Sequence, residues 1–132
     1  MEKGYAGDDK RRFKRIMFSA ADEIVGLVQL PNDAEVALKI ADIGAGGLRF
    51  IPQRHESAGI RTGTTLLLLR IQGQNQLAFL SGLKLVVKWK IDESQFAHVM
   101  IGCEFVACTA NIRRQIDHFV AVETKGEVRR NF

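Results

Sequence analysis

The sequence predicts an all-β domain with one C-terminal helix: a small antiparallel β-barrel of about six strands. Three observations carry that expectation. Apolar and polar residues alternate over short runs, most clearly where Leu83, Leu85, Val87, Trp89 and Ile91 oppose Lys84, Lys88 and Lys90. Turn signals such as Pro31-Asn32-Asp33, Gly73-Gln74-Asn75 and Asp92-Glu93-Ser94 recur at short intervals. After Cys108 the apolar period lengthens to that of a helix. Many short strands at close spacing favour closure, because a barrel leaves no exposed sheet edge.

Taken in order, the segment before Lys10 is polar and reads as a flexible arm over residues 1–9. Strands are expected near Arg15 to Ser19 and Glu23 to Leu30, with a turn at Pro31-Asn32-Asp33. Val36, Leu38 and Ile40 then alternate with Glu35, Ala37 and Lys39, a half-buried strand. A glycine turn follows, then a short strand over Leu48 to Ile51 and a loop from Pro52 to Gly63. Four consecutive leucines, Leu66 to Leu69, lie in a buried strand over Thr64 to Ile71. Leu77 to Leu80 is read as the start of the next strand, with Ser81-Gly82 as a bulge or turn.

Ala97, Val99, Ile101, Cys103 and Phe105 repeat the parity of the strand before them, so the two read as a hairpin. On that parity Trp89 and Phe105 are expected in the core. Ile112, Ile116, Phe119 and Val120 share one helical face, with Thr109 as N-cap. The helix is expected to cover an end or face of the sheet, and residues 123–132 read as a polar tail. The domain proper thus spans residues 10–122.

A chain of 132 residues, 46% of them hydrophobic, suits one domain with its own core. No run approaches the roughly 20 apolar residues of a spanning helix, and no signal-peptide core opens the chain. A cytoplasmic location is the expectation. Cys103 and Cys108 lack CxxC spacing, and His55, His98 and His118 are scattered, so no metal site is expected. No nucleophile, base and acid constellation stands in recognisable context, so the chain does not read as an enzyme.

Charge placement is more informative than the net charge of +4. Lys10, Arg11, Arg12, Lys14 and Arg15 crowd into one short segment and call for an anionic partner, unless they form a merely solvated tail. Thirty residues on, Asp42-Ile43-Gly44-Ala45-Gly46-Gly47 reads by itself as a tight turn between strands. It is not a P-loop, since no Gly-Lys-Ser/Thr follows, and not a dinucleotide fingerprint, since a strand comes next.

Taken together, these two stretches resemble the PilZ domain, the bacterial receptor module for cyclic di-GMP. Arg11 and Arg15 supply the family's R-x-x-x-R, and Asp42 and Gly47 supply the ends of its D/N-x-S-x-x-G. The Gly102-Cys103-Glu104-Phe105 strand and the helix after it are similar to the family's last strand and closing helix. The resemblance implies cyclic di-GMP as ligand, no other cofactor, and ligand-binding residues Arg11, Arg12, Arg15, Asp42, Gly44, Gly46 and Gly47. Guanidinium groups suit phosphates bidentately and can pair with or stack on guanine. The Asp42 carboxylate suits the guanine N1 and N2 donors, and Gly46 and Gly47 admit a close backbone approach.

Gly44 departs from the family pattern, which has serine there, so a side-chain hydroxyl is lost. Restoring serine is expected to tighten binding. The resemblance further implies a switch: the basic arm, residues 1–14, orders over the barrel when phosphates relieve its self-repulsion, and a downstream protein partner reads the change. The competing reading is a PilZ-like protein-interaction module with weak or no cyclic di-GMP binding. Nucleic-acid and membrane partners are not expected, because the aromatics fall on core parity and no membrane-inserting segment is present.

Overall fold

The computed structural model describes residues 14–130. Seven strands form one sheet: β1 (Arg15–Met17), β2 (Val25–Gln29), β3 (Glu35–Gly44), β4 (Gly47–Phe50), β5 (Thr65–Gln72), β6 (Lys84–Ile91) and β7 (Met100–Val106). Their order is β1-β3-β2-β5-β6-β7-β4, and a β3–β4 pairing joins the ends. Strands β2 to β7 therefore close into an antiparallel barrel. The short β1 adds to the far half of β3, beyond the part that pairs with β2. One helix, α1 (Ala110–Arg130), completes the fold.

Alternation builds the core as the sequence indicates. Leu38, Ile40, Phe50, Leu66, Leu68, Leu85 and Ile101 are all essentially inaccessible. Helix α1 begins where Thr109 Oγ1 accepts from the Ile112 amide at 3.1 Å, the expected cap. Its Ile116, Phe119 and Val120 are buried, and the Phe119 ring lies 6.3 Å from Phe18, just after β1. The helix continues to Arg130, past residue 122 where its apolar face ends.

The strand expected at Leu77 to Leu80 is instead a 3₁₀ helix, Asn75–Leu80, with Leu77 and Leu80 buried three residues apart. Three residues per turn put both on one face, whereas a strand would need even spacing. The loop after β4 likewise contains a 3₁₀ turn, Arg54–Ser57.

Two β-bulges matter most. Between β3 and β4, Ile40 faces Phe50 but Asp42 faces Arg49, so Ala41 is an extra residue. Between β6 and β7, Val87 faces Cys103 but Trp89 faces Gly102, so Lys88 is extra. Each bulge reverses the inside–outside alternation for the residues beyond it.

Candidate functional site

Both bulges re-aim side chains onto one outer face of the barrel. Beyond the first, Ile43 instead of Asp42 continues the core, and Asp42 turns outward. It is nonetheless 0% exposed, because two arginines cover it. Arg15 on β1 sits diagonally across the β1–β3 ladder and donates from Nε at 2.8 Å and Nη2 at 2.5 Å to Oδ1. Arg49 on β4 sits directly opposite and donates from Nε to Oδ2, its Nη2 forming an ion pair with the same oxygen. Arg15 Nη2 also reaches the Gly47 carbonyl at 3.5 Å, and Arg49 Nη2 the Met17 sulfur at 3.6 Å.

A buried carboxylate costs several kcal/mol unless paired. Here one anion is shared between two cations, and the excess positive charge remains on the guanidinium groups at the surface. The Arg15 and Arg49 side chains retain 19% and 23% exposure. The clamp fixes their planes and leaves each Nη1 without a protein acceptor among the described residues. Such an arrangement is pre-organised for a bidentate anion.

Beyond the second bulge, Trp89 leaves the core. It is 36% exposed, contrary to the expectation from parity. Its indole packs closely on Gly102, where a β-carbon would come within 2.1 Å of Trp89 Cε2. Lys90 now takes the inward-leaning position, and its Nζ donates to the carbonyls of Ser57 and Ile60, both at 2.9 Å. Phe105 is half-buried against the core, closer to expectation.

Between the clamp and the indole runs an open groove of about 610 Å³. Arg15, Arg49, Lys88 and Arg113 bring cations to it, Trp89 and Phe105 aromatic surface, and Glu104 the one acidic group among its described lining residues. Gly46 and Gly47 form its floor on the β3–β4 side. Neither Gly44, Gly46 nor Gly47 has positive φ; among the described glycines that region belongs to Gly63, Gly73 and Gly82. Close approach explains Gly44 and Gly47: a β-carbon on Gly47 would lie 1.9 Å from the Cys103 carbonyl oxygen, and one on Gly44 2.6 Å from that of Lys14.

The expected site residues therefore separate. Arg15, Gly46 and Gly47 line the groove. Asp42 does not: both its oxygens are taken by arginines, so in this conformation it aims cations and does not accept from a guanine. Gly44 lies under β1, paired with Arg15. Serine there would meet the Lys14 backbone, so the expected gain from restoring it is revised to a cost. Lys10, Arg11 and Arg12 lie outside the described residues, as does most of the 1–14 arm.

Arg49 and Trp89 were not expected in the site. Arg49 stands two residues after the glycine-rich stretch, but an arginine on a short strand reads as a solvated face. Trp89 needed the bulge, which leaves no mark on the alternation.

The Cys103 thiol beside the groove is held in its protonated form. Burial pushes the Cys103 pKa up to about 12, and Cys108 is raised by burial with Arg113 pulling it back. Among the described residues no group of three or more His, Cys, Asp or Glu is placed to hold a metal. No described helix is long and apolar enough to cross a membrane.

No family model matches the chain, and no curated protein matches it either. Solved structures do. The PilZ domain of YcgR from Escherichia coli with c-di-GMP is 14% identical with a TM-score of 0.68, covering 92% of this chain and 98% of that one. The MrkH–c-di-GMP complex of K. pneumonia is 18% identical with a TM-score of 0.64, covering 93% of this chain and 56% of that one. MotI/DgrA of Bacillus subtilis, described as an inhibitor of motility, is 14% identical with a TM-score of 0.61, covering 89% and 52%. The chain thus spans nearly all of the isolated YcgR domain but only about half of MrkH and MotI. Closed barrel, added β1 and terminal helix together give this chain the PilZ-type fold.

Proposed function

We propose that this chain is a receptor for cyclic di-GMP, bound in the groove between the Arg15–Asp42–Arg49 clamp and Trp89. The clamp carries the reading: two guanidinium groups from different strands are aimed by one buried carboxylate beside an exposed indole. Cyclic di-GMP offers two phosphates and two guanines, and both find chemistry here. The arginines suit a phosphate or a guanine face, and the indole suits stacking, worth about 1–3 kcal/mol per base. Two of the structures with this fold are described as c-di-GMP complexes, which supports the choice of ligand.

In this reading Arg15, Arg49, Trp89, Gly46 and Gly47 meet the ligand, with Asp42 positioning both arginines. Arg11 and Arg12 add to it from the arm preceding β1, which orders on binding and presents a changed surface to a protein partner. Amide exchange over residues 1–14 should slow at saturating ligand; unchanged exchange removes the switch while leaving binding intact.

The binding test is a calorimetric titration of cyclic di-GMP into wild type and Arg15→Ala, with a single-stranded oligonucleotide as control. Wild type should bind, and Arg15→Ala should lose at least about 2 kcal/mol, as for a charge-assisted contact. The oligonucleotide control has weight because MrkH is described as a transcription regulatory factor. Absence of heat with wild type would leave the second reading, a protein-interaction module.

A further inference from the structure

We propose that Glu104 is the guanine-selecting residue of the groove, accepting from the N1 and N2 donors of a base stacked near Trp89; this rests on the cyclic-dinucleotide reading above. Guanine presents two adjacent donors on its Watson–Crick edge, and an ionised carboxylate, which only accepts, matches them with both oxygens. Adenine presents its N1 lone pair in the same place and is repelled. A carboxylate that reads guanine's Watson–Crick edge needs acceptor capacity to spare. Asp42 has none, since Arg15 and Arg49 occupy both its oxygens at zero exposure. Glu104 is the acidic side chain that lines the groove.

Its surroundings suit the task. Glu104 and Gly102 are two apart on β7 and share a face, which sets them roughly 6–7 Å apart along the strand. The indole covers Gly102, so the carboxylate lies beside the stacking surface, not beneath it. On the other flank Glu104 pairs with Gly47, which has no side chain to screen it from Arg15, whose Nη2 reaches the Gly47 carbonyl. The Glu104 side chain is 61% exposed, and its ion pair is a long one to Lys88 at 4.0 Å. Such a pair is weak and easily exchanged for two hydrogen bonds.

Charge alone and edge recognition predict opposite signs. The ligand is a dianion, so a merely electrostatic Glu104 opposes it, and neutralising the residue would strengthen binding of any cyclic dinucleotide. An edge-reading Glu104 instead makes its neutralisation costly for guanine only. The experiment titrates wild type, Glu104→Gln and Glu104→Ala with cyclic di-GMP and cyclic di-AMP, with thermal melts as a folding control.

Wild type should prefer cyclic di-GMP. Both variants should bind it at least about tenfold more weakly, the loss expected for hydrogen bonds to a charged group. Cyclic di-AMP binding should be unchanged or stronger, so the preference collapses. Wild-type binding of cyclic di-GMP with unchanged or stronger binding in both variants overturns the assignment and leaves the receptor reading standing. If wild type binds neither dinucleotide, the receptor reading itself fails.

Discussion

Among the described residues, Asp42 and Asp92 both meet arginine, with the same chemistry and opposite surroundings. Asp42 is shared by Arg15 and Arg49, holds β1, β3 and β4 together, and is closed to water. Asp92 meets Arg54 Nε at 2.6 Å at the tip of the β6–β7 hairpin, where both side chains are well exposed. Arg54 also donates from Nη2 to the carbonyls of Glu93 and Phe96, each at 2.9 Å, so it pins the loop as much as it pairs a charge. Water screens the second pair and leaves it little to contribute. The first cluster holds strands together and, in the proposed reading, also aims the ligand-binding cations; removing either sign leaves a charge in a place built for its partner.

Breaking the buried carboxylate should therefore have the largest effect. Asp42→Ala is expected to lower stability by about 3 kcal/mol or more in chemical denaturation and to weaken cyclic di-GMP binding through misplacement of both arginines. Next comes Gly47→Ala, which forces a β-carbon against the Cys103 carbonyl between β4 and β7. A loss of about 3 kcal/mol is expected, read as a lower unfolding midpoint.

Gly44→Ser sharpens the comparison by loosening the clamp without touching its charges. The serine β-carbon presses on the Lys14 backbone, so β1 has to move and carry Arg15 with it. About 1–2 kcal/mol of stability should be lost, with weaker dinucleotide binding by calorimetry. Tighter binding instead would mean that β1 yields freely and that the hydroxyl acts as it does in the sequence motif. Asp92→Ala should be the mildest, under about 1 kcal/mol, with binding unchanged.

The sequence carried most of the barrel and only part of the site. The first half of β3, the β6–β7 hairpin and helix α1 were legible because their apolar residues follow period two or the helical period, and β2 because a short apolar run ends at the Pro31-Asn32-Asp33 turn. Thr109 was legible as a cap by its place before the periodic run. Bulges at Ala41 and Lys88 were not, since an extra residue changes pairing without changing composition. Those two residues decide that Asp42 and Trp89 face outward, so the site depends on what alternation hides. Leu77 and Leu80 misled for a related reason: two apolar residues three apart fit several periods. From the sequence, Gly46 and Gly47 suggest close approach by a ligand, whereas Gly44, Gly47 and Gly102 let a strand or a ring of the protein itself come close.

The chain contains one tryptophan, and it is Trp89. A fluorescence titration with cyclic di-GMP, exciting the indole alone, therefore reports on the groove and nothing else. The account predicts a saturable change in Trp89 emission in wild type, displaced to much higher concentration in Arg15→Ala and unchanged in Asp92→Ala. Emission that stays constant while calorimetry records binding would place the ligand elsewhere and contradict the groove as its site.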